Sequence, residues 1–479
     1  MLFNTISFAI FFPIVFALYW FVTNKSLKLQ NILLLVASYY FYSCWDWRFL
    51  FLLIFSTLLD YFTGIKMSDS KNKSQKKIWF WISISVNLGF LGIFKYYNFF
   101  ADSFTTLLST FGFSVNPWTL QIILPVGISF YTFHGLSYVI DIYKDRIKAE
   151  RNFIDYSLFV SYFPLLVTGP IERATHLLPQ IKQKREFEYS KAVDGLRQIL
   201  WGLFKKVVIA DQCAEYANII FNNSSQYNGS TLFLGAILFS FQIYGDFSGY
   251  SDIALGVSRL LGIELLKNFS YPYFSRDIAE FWRRWHISLS SWFKDYLYFP
   301  LGGSKNGKLI QIRNTFIIFI VSGFWHGANW TFIVWGLLHA IYIMPSIIFN
   351  TNRNHLEIVA KNKFLPSIRE SISMSITFLS VVFAWIFFRA ENLTSAFEYI
   401  KIIFSKSLFT IPEVRPYYII LSIFILIATE WFGRKEDFAL SNFDQKTSKT
   451  LRWILYYIIL FMVYYLSSDN GHQFIYFQF

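Results

Sequence analysis

The sequence predicts an all-helical, polytopic integral membrane protein, and three observations carry that prediction. Its 479 residues are 54% hydrophobic, 22% aromatic and only 15% charged, where soluble domains carry about 25% charged residues. Mean hydropathy is +0.39. Apolar runs recur from end to end, and runs of roughly 18 or more such residues read as bilayer-crossing helices. Helix is the expected form, because backbone polar groups in lipid must pair within their own segment.

In chain order the apolar segments fall at 6–22, 32–45, 49–65, 78–94, 121–142, 153–167, 192–210, 231–245, 314–325, 330–349, 371–388, 416–431 and 451–466. Some are short enough to be re-entrant or interfacial, so 11 to 13 transmembrane or re-entrant helices are expected in one membrane domain over 1–479. The opening "MLFNTISFAIFFPIVFALYW" lacks a basic n-region and an A-x-A-like cleavage site, so it is expected to be retained. The polar stretches 66–77, 351–370 and 433–450 read as solvated loops. No long linker, low-complexity tract or short-period repeat divides the chain.

The formal charge of +13 is placed in loops. Lys25 and Lys28; Lys66, Lys71, Lys73, Lys76 and Lys77; and Lys144, Arg146, Lys148 and Arg151 follow the first, third and fifth segments. Basic alternate loops are the positive-inside pattern, which sets the N-terminus outside and these loops in the cytoplasm. Anionic lipid beside such loops explains a pI near 9.4 without a nucleic-acid ligand. A fourth basic loop, Lys182, Lys184, Arg185 and Lys191, breaks the alternation if 153–167 crosses fully, so that segment is expected to dip in and return.

The least hydrophobic long region is 246–313. Within it, Trp282, Trp285, Leu289, Trp292 and Tyr296 are spaced 3, 4, 3 and 4, one face of a helix, with Arg284, Ser288, Ser291 and Asp295 on another. Pro300 and Gly302–Gly303 end it. An aromatic face opposite a polar one suits an anchoring helix in the membrane surface. That pattern does not account for His286.

Of the 7 histidines, His176, His355 and His472 lie in polar stretches and read as solvated or hydrogen-bonded. His134 and His339 read as structural hydrogen-bonders. His286 and His326 sit among tryptophans in apolar surroundings, and an ionisable group at membrane depth is a functional candidate by default. There is no H-E-x-x-H and no Cys cluster, so no metal is expected. The cysteines, Cys44 and Cys213, read as apolar packers. No G-x-S-x-G elbow and no phosphate-binding glycine loop occurs. What remains is a buried histidine acting as general base on a hydroxyl, with a reactive donor such as a thioester. In "YGDFSGYSDIALG" (244–256), Asp246 and Asp252 could act as acid and base, or cap helices and tie loops to the backbone.

Six stretches together resemble the membrane-bound O-acyltransferase (MBOAT) family, in the bacterial branch around the alginate O-acetylation protein. They are "LPVGISFYTFHGLSYVIDIYK" (124–144), "TGPIERATHLLPQ" (168–180), "YGDFSGYSDIALG" (244–256), "NFSYPYFSRDIAEFWRRWHISLSSWFKDYLYFPLGG" (268–303), "SGFWHGANWTFIVWGLLHA" (322–340) and "FIYFQF" (474–479). Two positions depart from the family pattern: His134 stands where Gln is expected, and Ala340 where glycine is common.

The resemblance implies a helical ring with a funnel or tunnel and a catalytic core at about 120–345. His326, in the "WHG" motif, is the implied catalytic histidine and His286 the second. Their neighbours Trp325, Asn329 and Trp285 are expected to line the passage as substrate-binding residues. Arg283 and Arg284 suit the phosphate of a phosphopantetheine-bearing donor, or else snorkel to lipid headgroups. No bound cofactor is implied; acetyl-CoA or an acyl carrier is the substrate donor, reached from the cytoplasm. The acceptor is an extracytoplasmic polysaccharide, and a separate extracytoplasmic SGNH-like acetyltransferase is the implied partner. The implied location is the bacterial cytoplasmic (inner) membrane. D-alanyl transfer to teichoic acid and peptidoglycan O-acetylation remain open on the same fold. A glycan or acyl-carrier transporter is the alternative of a different class.

Overall fold

A computed structural model describes residues 1–113, 116, 119–120, 123–167, 169–305, 307–443, 447–467 and 475. Regular structure among them is helical throughout, with no strand, and every apolar segment read from the sequence contains helix. Among the described residues, six helices are long and apolar enough to cross a membrane: Arg48–Asp69, Lys73–Thr110, Gly229–Leu260, Trp330–Ile348, Ile368–Arg389 and Lys449–Leu466. Ile6–Val22 and Tyr417–Gly433 are shorter apolar helices. The segments "TGPIERATHLLPQ" and "FIYFQF" are described only in part, and His472 lies outside the described residues.

The chain forms two compact units, Met1–Glu188 with Leu260–Leu266, and Tyr189–Arg259 with Lys267–Phe479. In the first unit the basic loops meet. Lys76 pairs with Asp145 at 2.6 Å and Lys182 with Glu150 at 2.8 Å, while Arg151 pairs with Asp69. Asn31, at the start of the Leu27–Ser43 helix, donates to Asp155 at 2.8 Å and to the Ile181 carbonyl at 3.0 Å. All four basic loops therefore share one side.

The chain between the third and fourth loops must then enter and leave by that side. It breaks accordingly. The Phe153–Ser161 helix stops at Tyr162 (ψ 114°), and a single turn, Phe163–Leu166, follows. Nine helical residues reach about 14 Å, half of a hydrocarbon core of roughly 30 Å.

In the second unit the Gly229–Leu260 helix is buried for most of its length. Its glycines allow close approach to the preceding helix: a Cβ on Gly249 would stand 2.7 Å from the Gly202 carbonyl oxygen. Asp246 and Asp252 lie inside this helix, so neither caps an end, although Asp246 does accept from the Ile475 backbone N–H at 2.7 Å. Both pair with buried lysines: Lys206 sits 2.7 Å from both Asp211 and Asp246, and Lys205 is 2.6 Å from Asp252.

Two further expectations are corrected. The 281–304 pattern is not one helix in a membrane surface. Ile278–Arg284 and Ile287–Phe293 are separate helices, and the aromatic residues Trp285, Trp292 and Tyr296 are buried in protein. The polar stretches 351–370 and 433–450 are not simply solvated. Val359 packs with Tyr271 and Phe274, Phe438 and Leu440 are buried, and Arg434 donates to the carbonyls of Val359 and Lys363.

Candidate active site

His326 is the last residue of the Lys308–His326 helix, and the chain turns at once into Trp330–Ile348. Gly323 and Gly336 let these two helices touch. A Cβ on Gly323 would meet the Phe332 carbonyl oxygen at 2.2 Å, and one on Gly336 the Phe319 carbonyl oxygen at 2.2 Å. Asn329 fixes the turn: its side chain accepts from Thr331 N–H at 3.0 Å and donates to the Glu391 carbonyl at 2.8 Å.

The hairpin presents His326 to an aromatic wall. Its ring centroid lies 4.9 Å from Trp325, 5.1 Å from Trp335 and 5.4 Å from Phe388. His326 is buried.

His286 arrives from the break between the two short helices. Its backbone is left-handed, φ 44° and ψ 54°, where non-glycine residues are strained by about 1–3 kcal/mol. Flanking bonds hold it there: Trp285 N–H donates to the Phe281 carbonyl at 2.8 Å, and Ile287 N–H to the Asn268 carbonyl at 2.9 Å. The imidazole packs edge-on to Phe247, 4.6 Å between centroids. It is buried, and neither ring nitrogen has a hydrogen-bond partner among the described residues. Such an apolar surround favours the neutral ring, the form that accepts a proton. The rings of His286 and His326 lie 6.5 Å apart.

His339 joins the same cluster from one turn beyond Trp335, 5.0 Å ring to ring, and its Nδ1 accepts from Trp282 Nε1–H at 3.3 Å. Trp335, Trp385 and Phe388 complete the wall, with Trp335 stacked on Trp385 at 5.6 Å. None of these three stands out as a site residue in the sequence. The one available signal was Trp335 four residues before His339, a single helical face.

Trp325 and Trp285 both lie in the aromatic cluster, Trp285 at 5.2 Å from Trp385. Arg283 and Arg284 are engaged elsewhere. Arg283 donates to the carbonyls of Asn352 at 2.7 Å and His355 at 2.9 Å. Arg284 binds Glu280 at 2.8 Å and the Ser270 carbonyl at 3.1 Å. Arg276 binds the same Glu280 at 3.0 Å. Of the remaining histidines, His134 accepts from Glu172 N–H at 3.2 Å, and His176 bonds the Glu172 carboxylate at 2.7 Å. No metal-ligand cluster occurs among the described residues.

Residues 144–383 match the family described as MBOAT, membrane-bound O-acyltransferase, and His286, His326 and His339 all fall inside that span. The probable alginate O-acetylase AlgI of Pseudomonas aeruginosa is 37% identical over 408 residues, covering 85% of this chain and 75% of that protein. The peptidoglycan O-acetyltransferase of Helicobacter pylori is 37% identical over 430 residues, covering 84% and 79%. The teichoic acid D-alanyltransferase of Bacillus subtilis is 30% identical over 277 residues, covering 56% and 69%.

Proposed function

This chain belongs to the membrane-bound O-acyltransferase family, and from that premise we propose that it passes an acetyl group from a cytoplasmic thioester across the membrane to an acceptor hydroxyl, for O-acetylation of a cell-surface glycan, with His326 as general base. The observation that carries this reading is His326 at a helix end, enclosed by Trp325, Trp335 and Phe388, with the strained His286 ring 6.5 Å away. The family sets the chain among acyltransferases and apart from glycan transporters.

In the proposed step the acceptor oxygen attacks the thioester carbonyl carbon. A C–O bond forms, the C–S bond breaks, and the hydroxyl proton passes to His326 and then to the leaving thiolate. His286, neutral in its apolar setting, orients the donor or assists the proton. Acetyl-CoA or an acyl carrier supplies the acyl group. A multi-pass membrane protein with its basic loops on one side suits the bacterial inner membrane with those loops in the cytoplasm. A separate extracytoplasmic SGNH-like acetyltransferase completes transfer to the polysaccharide.

Acetyl transfer is favoured over D-alanyl transfer because the two relatives matched over more than four-fifths of this chain are named as acetylating proteins. The test is mass spectrometry of cell-surface glycans from cells with the wild-type gene and with His326→Ala at equal protein level. The reading expects O-acetyl groups present in the first and missing in the second. D-alanyl esters lost instead would select the alternative, and glycans identical in the two strains would overturn the proposal.

A further inference from the structure

The break that delivers His286 opens two helix ends, and the terminal N–H and C=O groups of a helix have no partner within it. At the start of Ile287–Phe293 the capping position is His286 itself, and its side chain makes no capping bond. A side-chain oxygen at that position ordinarily accepts from the second or third N–H of the helix. Here the imidazole lies instead against Phe247, 4.6 Å between centroids, and beside Trp325 and His326.

The capping bonds come from another segment, 268–270. Asn268 is buried. Its carbonyl accepts from Ile287 N–H at 2.9 Å, and its side-chain Oδ1 accepts from Ser288 Oγ–H at 2.9 Å and from Ser288 N–H at 3.4 Å. On the other side of the break, Ser270 N–H donates at 3.0 Å to the carbonyl of Arg284, the last residue of Ile278–Arg284. The Asn268 amide is fixed in turn, because its Nδ2–H donates to Ser251 Oγ at 3.3 Å. Ser251 lies one turn after Phe247 on the Gly229–Leu260 helix, and residues four apart share a helix face. The face that packs the His286 ring therefore also holds the residue that caps its helix.

We infer, resting on the role given to His286 above, that Asn268 is a positioning residue for the acyl transfer. It fills the capping role in place of the side chain at 286 and leaves the imidazole free to meet substrate beside His326. A ring that capped its own helix would commit a nitrogen to a nearby backbone N–H, as short polar side chains do at helix starts. With the cap supplied by Asn268, neither nitrogen is committed among the described residues. The same bonds hold the left-handed backbone of His286, φ 44°, which an L-residue does not otherwise favour.

The test uses the full chain purified in detergent. Asn268→Ala removes the side-chain cap and keeps the carbonyl. Asn268→Asp keeps the acceptor for Ser288 and exchanges the donor to Ser251 for a second acceptor oxygen. Per folded molecule, Asn268→Ala should lower acyl transfer by about 10²-fold, the scale for a reacting group displaced by about 1 Å, and Asn268→Asp should restore most of it. Amide hydrogen exchange across 285–293 should rise in Asn268→Ala and stay near wild type in Asn268→Asp. Asn268→Ser, whose hydroxyl is too short to reach Ser288, replaces the alanine variant should that one fail to fold. A wild-type chain without acyl transfer would sink the proposed function, and the exchange measurement would still decide the cap. Wild-type turnover in a folded Asn268→Ala or Asn268→Ser, unchanged exchange across 285–293, or an aspartate variant as slow as the alanine one would overturn the positioning role.

Discussion

His286 and His326 face one another at 6.5 Å, ring centroid to ring centroid, although 40 residues separate them in sequence. Each is delivered by a break in helix, and Trp325 packs against both, 6.1 Å from His286 and 4.9 Å from His326. Two helix breaks converging on one enclosed point would be a poor way to stabilise a core, since buried polar groups need partners. They are well suited to hold two imidazoles ready for a third molecule.

His326→Ala is the first prediction. The variant should fold, because the turn after it is fixed by Asn329 and the helix contact by Gly323 and Gly336. Acyl transfer should fall by about 10²–10⁴-fold, the usual contribution of a general base. Transfer measured per folded molecule decides it, and wild-type rates would remove His326 from the base role.

His286 separates strain from chemistry. A left-handed backbone is disfavoured for alanine by roughly 1–2 kcal/mol and is free for glycine. With no hydrogen bond to either ring nitrogen among the described residues, the imidazole contributes little polar stabilisation. His286→Gly should therefore unfold at a higher temperature than His286→Ala, while both lose activity. Equal melting temperatures would show that the strain is absent in solution.

The sequence suits Arg283 and Arg284 to donor phosphate or to lipid headgroups. Their bonds to Asn352, His355, Ser270 and Glu280 point to a structural task. Arg283→Gln should lower thermal stability and leave the KM for donor unchanged. A several-fold rise in donor KM, with stability intact, would restore the phosphate role.

Loop placement gives a topological prediction. In a Cys44→Ser background, single cysteines at Lys71, Lys148 and Lys184 should all react with an impermeant thiol reagent from the same side of the membrane. The ion pairs Lys76–Asp145, Arg151–Asp69 and Lys182–Glu150 require it. The positive-inside pattern makes that side the cytoplasm. A split among the three would contradict the return of 153–167.

Helical class and most segment positions were legible in the sequence because lipid enforces long apolar runs. His286 and His326 stood out because an ionisable residue among tryptophans is conspicuous. Two things were hidden. The break at Trp285–His286 was masked by an unbroken 3-4-3-4 spacing, since periodicity records which faces are apolar and says nothing of a single left-handed residue. The partners of Asp246 and Asp252 were hidden too. Glycines at 245, 249 and 256 serve close packing in this helix, and only the fold brings Lys205 and Lys206 to the carboxylates.

That buried network supplies the last prediction. Lys206, Asp211 and Asp246 are all buried, and Asp246 also accepts from Ile475 N–H at 2.7 Å. Removing the Lys206 cation from such a group leaves charge uncompensated, at about 3–5 kcal/mol. Lys206→Met should therefore lower the melting temperature sharply. Adding Asp246→Asn removes one of the stranded charges and keeps an acceptor for Ile475, so the double variant should recover part of the loss. The effect should reach the active site, because Phe247, next to Asp246 on the same helix, packs on the His286 ring at 4.6 Å. Lys206→Met is expected to reduce turnover more than it raises the KM for donor, and Asp246→Asn should restore both stability and turnover in part. A double variant no more stable than Lys206→Met alone would mean that the two charges are not coupled, and that the network does not position His286.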